Sequence, residues 1–220
     1  MDGDIIRDLP SNEFKMGHFT KVPLLVDHDG YEGVIFSNIS ETTMNQETAD
    51  IQNLFPFAKE SFFNRLYSLY PESDFNATFW DRQQLFGDFI ISCPTYYMAA
   101  AVSDWGLPAY KLIFDAGSQL HGATGAFLYG TTSNTQPSLN ETLAHIMKDW
   151  FLSFAITLDP NTVSFSSVTK PYWPPYQING QSNFNIMDVN YTEIGLENDL
   201  YFDATARCDF FHSQSYVVRN

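Results

Sequence analysis

Short apolar runs closed by polar, glycine-bearing turns alternate along this chain with stretches in which apolar residues recur every three or four positions. That alternation predicts strands and helices taking turns along the sequence. Val22-Pro23-Leu24-Leu25-Val26 is short, apolar and β-branched at its ends, which predicts a buried strand of a mostly parallel sheet. It closes on Asp27-His28-Asp29-Gly30-Tyr31-Glu32-Gly33, read as a polar turn. A second strand is predicted over Ala109 to Phe114, again ending in a polar loop, Asp115 to Gly122. Between the two, Phe62, Leu66 and Leu69 fall at helical spacing, and an apolar-rich stretch from Trp80 to Val102 is expected to break near Pro94. Ser138 to Ile156 gives the clearest helix, with Ser138-Leu139-Asn140-Glu141 as a capping box and Leu143, Met147, Trp150 and Phe154 as one apolar stripe. The prolines of Tyr172-Trp173-Pro174-Pro175-Tyr176 predict an irregular segment, and a last short helix is expected from Ala204 to Ser213. Strand, helices, strand is the α/β class, and with no repeat or linker tract the 220 residues read as one domain.

Composition narrows the function. With 26 acidic residues against 11 basic ones the net charge is −15, which repels a phosphate backbone and makes nucleic acid an unexpected partner. No run approaches the ~18 consecutive apolar residues of a membrane span, so no transmembrane segment is expected. Asp2 and Asp4 put acid where a signal peptide carries base, so no signal peptide is expected in the chain either. Cys93 and Cys208 have no CxxC or Cys/His spacing, and neither a metal nor another cofactor is expected. Asn38, Asn76, Asn140 and Asn190 each head an Asn-x-Ser/Thr sequon, a surface glycosylation acceptor in a secreted protein.

In open α/β sheets the reactive groups collect beyond the carboxyl ends of the strands, where the predicted elements put Glu32 and His121. An acid after one strand and a histidine after a later one is the order in which an α/β hydrolase carries the tail of its triad. The acid would fix the imidazole tautomer, and His121 would take a proton from a serine and return it to a leaving alcohol. Position alone leaves this open. Acids commonly follow strands as solvated loop residues, and His18, His28, His145 and His212 are equally available imidazoles.

Several segments in order carry a resemblance: Val22 to Val26 with Glu32-Gly33, Gly87-Asp88-Phe89 with Cys93-Pro94, Tyr110 to Phe114 with His121-Gly122, Trp150 to Phe154 with Asp159-Pro160-Asn161, Trp173-Pro174 to Tyr176, and Arg207 to Phe210. Together they resemble the type-B carboxylesterase/lipase family, which includes cholinesterases and fungal lipases, over almost the whole chain. The acidic, aromatic-rich composition with sequons leans toward the secreted fungal branch. The resemblance implies the C-terminal part of an α/β-hydrolase fold, a mostly parallel sheet flanked by helices. It implies Glu32 as triad acid, His121 as triad base, a small-molecule or lipid ester as substrate, and an extracellular parent protein. It also implies a disulfide between Cys93 and Cys208, each in a segment resembling a cholinesterase half-cystine.

Two departures stand out. Many family members carry an acidic residue three places after the histidine, where this chain has Thr124. No serine here has glycine both two before and two after it, so the G-x-S-x-G nucleophile elbow is missing. Met1 to Pro10 already resembles the interior of a family domain, so the chain is expected to begin mid-domain and to be inactive alone. Two alternatives remain in view: a non-catalytic, cholinesterase-like interaction protein of the same fold, and a plain acidic α/β domain whose Glu32 and His121 are loop residues.

Overall fold

The computed structural model of the chain describes residues 3–5, 7–130, 140–177 and 184–219. Along them run α1 (Pro10–Lys15), β1 (Leu24–Asp29), α2 (Met44–Leu54), α3 (Glu60–Leu69), α4 (Thr78–Gly87), α5 (Cys93–Asp104) and β2 (Ala109–Phe114). They continue with α6 (Ala123–Tyr129), α7 (Glu141–Thr157), β3 (Asn185–Val189), β4 (Ile194–Asn198), α8 (Ala206–Ser213) and α9 (Ser215–Val218). These elements group into two compact units. One comprises Met1–Phe19, Tyr31–Met98 and Leu200–Asn220; the other comprises Thr20–Gly30 and Ala99–Asp199.

The second unit is built on a sheet in the order β1-β2-β3-β4, with β1, β2 and β3 parallel and β4 antiparallel to β3. The register sets Leu24 opposite Ala109 and Asp29 opposite Phe114, so β1 and β2 end side by side. β2, flanked by a strand on each edge, is buried along its whole length. Tyr110, Leu112 and Phe114 pack with Met187 and Val189 of β3, Phe127 of α6, and Met147 and Trp150 of α7. Each such side chain contributes about 1.5–3 kcal/mol on burial. β2 also buries a charge. Lys111, fully buried, donates to both oxygens of the equally buried Asp199 at 2.6 and 2.7 Å, and the Tyr176 hydroxyl donates to the same carboxylate at 2.7 Å. The irregular proline segment before Tyr176 is as expected, and Trp173 within it is a core residue.

The first unit is helical, with an aromatic core of Phe55, Phe62, Tyr70, Phe89, Phe210 and Phe211 among aliphatic residues of α2 to α4 and α9. Cys93 and Cys208 form a disulfide there, with Cα atoms 5.0 Å apart, as the resemblance implied. Closing a loop of 115 residues restrains the unfolded chain by about 4–5 kcal/mol in the entropy model. The same unit buries a pair of interacting acids. Glu47 and Asp81 are almost fully buried, each with a carboxylate oxygen that finds no hydrogen-bond partner among the described residues. Burial, and for Glu47 the nearby Asp81, pushes Glu47 up to about 8 and Asp81 up to about 7. Arg82, beside them, donates to Asp50.

The structure shifts several predicted boundaries. β1 starts at Leu24, since Pro23 has no N–H to give to a ladder, and it runs on through Asp27-His28-Asp29, which had read as turn. The stretch from Trp80 does not break at Pro94. A π-helical turn, Asp88–Ser92, joins α4 to α5, so the bonding ladder has already slipped by one residue where the proline N–H is missing. The Thr95 hydroxyl donates to the Ile91 carbonyl at 2.7 Å in the same turn. As a result Thr78–Asp104 is one helical run long and apolar enough to cross a membrane by length and composition, and half of that apolar stretch is buried, as in a core helix. In α7 the cap is Asn140, whose side chain accepts from the Leu143 amide at 3.1 Å, so the helix starts at Glu141. Ser138 of the expected capping box lies outside the described residues. The last predicted helix starts two residues later, at Ala206.

Candidate active site

Glu32 lies in the tight turn three residues beyond β1, and it is only 4% exposed. Two glycines bring that turn onto α4. A Cβ on Gly33 would stand 1.8 Å from the Gln83 carbonyl oxygen, a distance no side chain survives. From the facing side, Gly87 of α4 leaves room for the Gly33 amide. The turn then closes on itself: the Ser37 hydroxyl donates to the Gly33 carbonyl at 2.8 Å, and the Phe36 amide to the same oxygen at 3.2 Å. Glu32 is thus a buried carboxyl on a backbone held by packing rather than by chance.

His121 closes the loop that leaves β2. The loop folds on its own root, with Gln119 in the left-handed region and its side-chain amide donating to the Asp115 carbonyl at 2.8 Å. Asp115 neighbours Asp188 of β3, and burial together with this like charge pushes Asp188 up to about 6. Immediately after His121, Gly122 takes φ +90° and α6 begins. The start of α6 is held by Asp29, the last residue of β1. Its Oδ2 accepts from the Gly122 and Ala123 amides at 2.7 and 3.1 Å, and its Oδ1 accepts from the Thr124 amide and hydroxyl at 3.0 and 2.7 Å. His121 itself is exposed.

The other imidazoles are differently placed. His18 is exposed beside Glu13, and His28 is buried with Nδ1 3.0 Å from the Asp29 carbonyl. His212 is packed on the Tyr97 ring and pushed down to about 4 by burial and by Lys15. His145 is half-buried on α7. Glu32 belongs to the helical unit and His121 to the sheet unit. In the sequence Asp29 looks like one more acid of a polar turn, because its partners lie more than ninety positions away. Among the described residues, no group of three or more His, Cys, Asp or Glu could hold a metal ion.

Of the sequon asparagines, Asn38 and Asn76 are exposed. Asn140 caps α7 through Oδ1, and the Asn190 Oδ1 accepts from the Thr192 amide and hydroxyl, both at 3.0 Å. Both leave Nδ2, the atom that carries a glycan, outside those bonds.

Known proteins resemble this chain in sequence and in fold. Residues 1–210 match the carboxylesterase family. Lipase 2 of Geotrichum candidum is 25% identical over 218 residues, covering 91% of this chain and 36% of that protein. The crystal structure of Aspergillus niger EstA superposes with a TM-score of 0.82 over 100% of this chain and 45% of that one, at 20% identity. The mixed sheet with its helices is that of the α/β-hydrolase fold. The chain spans less than half the length of either relative.

Proposed function

Because the chain belongs to the carboxylesterase family, we propose that it contributes the acid and the base of a serine carboxylic-ester hydrolase, Glu32 and His121, as part of a single α/β-hydrolase domain. The nucleophilic serine is then carried by residues outside these 220, since no G-x-S-x-G occurs within them. The observation that supports this reading is that Glu32 and His121 follow, three and seven residues along the chain, the last residues of β1 and β2, Asp29 and Phe114, which are paired in parallel strands. Burial of Glu32 on a packed turn suits an acid whose task is to hold an imidazole still.

In this scheme Glu32 accepts a hydrogen bond from one ring nitrogen of His121 and stabilises the imidazolium. The other nitrogen takes the serine proton as the hydroxyl attacks the ester carbonyl, and returns it to the leaving alcohol; water then repeats the cycle on the acyl-serine. The substrate is a carboxylic ester. Four sequons and a disulfide favour a secreted protein, with Asn38, Asn76, Asn140 and Asn190 as glycan acceptors.

The test is hydrolysis of p-nitrophenyl acetate by the full-length protein. His121→Ala and Glu32→Gln should each lower kcat by about 10³–10⁴-fold, whereas replacing serines of this chain by alanine should leave the burst of p-nitrophenol in place. Full turnover in His121→Ala, or a burst abolished by removing one of these serines, overturns the assignment.

A further inference from the structure

In the triad reading Glu32 holds the His121 ring, while the backbone that carries the ring lies on an exposed loop. His121 is followed by a helix with no cap of its own, since Gly122 offers no side chain to the free amides of the first turn. Those amides converge instead on Asp29, 93 positions earlier and only 4% exposed, which spends both carboxylate oxygens on Gly122, Ala123 and Thr124. The first of these bonds is to the peptide that joins His121 to Gly122, so the plane of the histidine's own C-terminal peptide is set from the end of β1. The negative charge also faces the positive end of α6.

We propose that Asp29 is the positioning residue of the catalytic base: by capping α6 from a neighbouring strand it fixes the pivot from which the His121 ring leaves the backbone. This rests on His121 being the base. Thr124 shares the task, its hydroxyl closing the fourth bond. Asn is a poor substitute for Asp29, because its amide group would face N–H donors on one side, and it keeps only part of the set.

The experiment uses the full-length protein, p-nitrophenyl acetate, and a fluorophosphonate titration that counts competent sites. Misplacing a reacting group by about 1 Å costs about 100-fold. Asp29→Ala should therefore lower kcat per titrated site about 100-fold, with KM within about twofold, and Asp29→Asn about tenfold. Hydrogen exchange at Gly122, Ala123 and Thr124 should quicken in step. Thr124→Val tests the same device without touching the carboxylate and should also lower kcat per site, with Thr124→Ser restoring it. Faster exchange at these amides with unchanged kcat per titrated site in Asp29→Ala or Thr124→Val would reduce Asp29 to an ordinary helix cap and overturn the proposal. His121→Ala, run alongside, separates the two failures: if it keeps its turnover, the base assignment is what fell.

Discussion

Glu32 rests its Cβ against the bare α-carbon of Gly87: a methyl group there would stand 3.3 Å from that Cβ and 2.9 Å from the Gly33 amide nitrogen. The two glycines therefore predict different defects. Gly33→Ala drives a Cβ into the Gln83 backbone and should destabilise by about 1–3 kcal/mol or more, read as a lower urea midpoint. Gly87→Ala gains about 1 kcal/mol of helix propensity against a milder clash. Its Cβ still meets the Gly33 backbone nitrogen at 2.9 Å, so the midpoint should fall, but less than in Gly33→Ala, while ester turnover drops roughly tenfold through a displaced Glu32.

Reducing the bridge, or replacing Cys208 by serine, should cost about 2–5 kcal/mol. Both sulfurs are buried in the aromatic core of the helical unit, so the loss should appear as an earlier melt under reducing conditions. An unchanged melting temperature with dithiothreitol would contradict it.

The buried acids of the helical unit predict a pH dependence. Glu47 is raised from 4.5 to about 8 and Asp81 from 3.8 to about 7, so the folded state holds protons that the unfolded chain has released. Stability from these groups is full below about pH 4 and is lost as pH rises toward about 8. Glu47→Gln removes the larger part of this dependence and should be the more stable protein at pH 8.5, by about 1 kcal/mol. Urea midpoints at pH 5 and pH 8.5 for both proteins check it, and a wild type that gains stability across that range would refute it.

In the sheet unit, Lys111 and Asp199 stand or fall together. Lys111→Ala leaves a buried carboxylate short of its cation and should cost about 3–5 kcal/mol, whereas Tyr176→Phe removes one hydrogen bond to the same carboxylate and should cost about 1.5–3 kcal/mol. Calorimetry of the two variants gives the order directly.

What the sequence disclosed depended on how far each signal reaches. β2 was legible to the residue, because Ala109 to Phe114 is an unbroken apolar run apart from Lys111, between Pro108 and Asp115. β3 and β4 were not foreseen, because Asn185-Ile-Met-Asp-Val and Ile194-Gly-Leu-Glu-Asn mix polar and apolar residues with no clean period, and their pairing is what makes them strands. Pro94 misled for a local reason: its cost is real in a regular helix, but a π turn just before it changes the ladder it would have broken. At the proposed site, position after strands made Glu32 and His121 candidates, and the family resemblance singled them out. The glycine contacts and the Asp29 cap that hold them were not legible, because each joins residues far apart in the sequence.

The parallel pairing of β1 with β2 also sets how the chain must fold. Leu24 cannot meet Ala109 until the chain from α2 to α5 has run between them in sequence, and the local hairpin β3–β4 joins β2 only through a second parallel pairing. Loop-closure entropy comes due before the pairing returns anything, so the search is slow and exposes apolar strands while it lasts. During that interval the chain competes with its own aggregation, and refolding yield should fall steeply with protein concentration even under conditions where the folded form is stable.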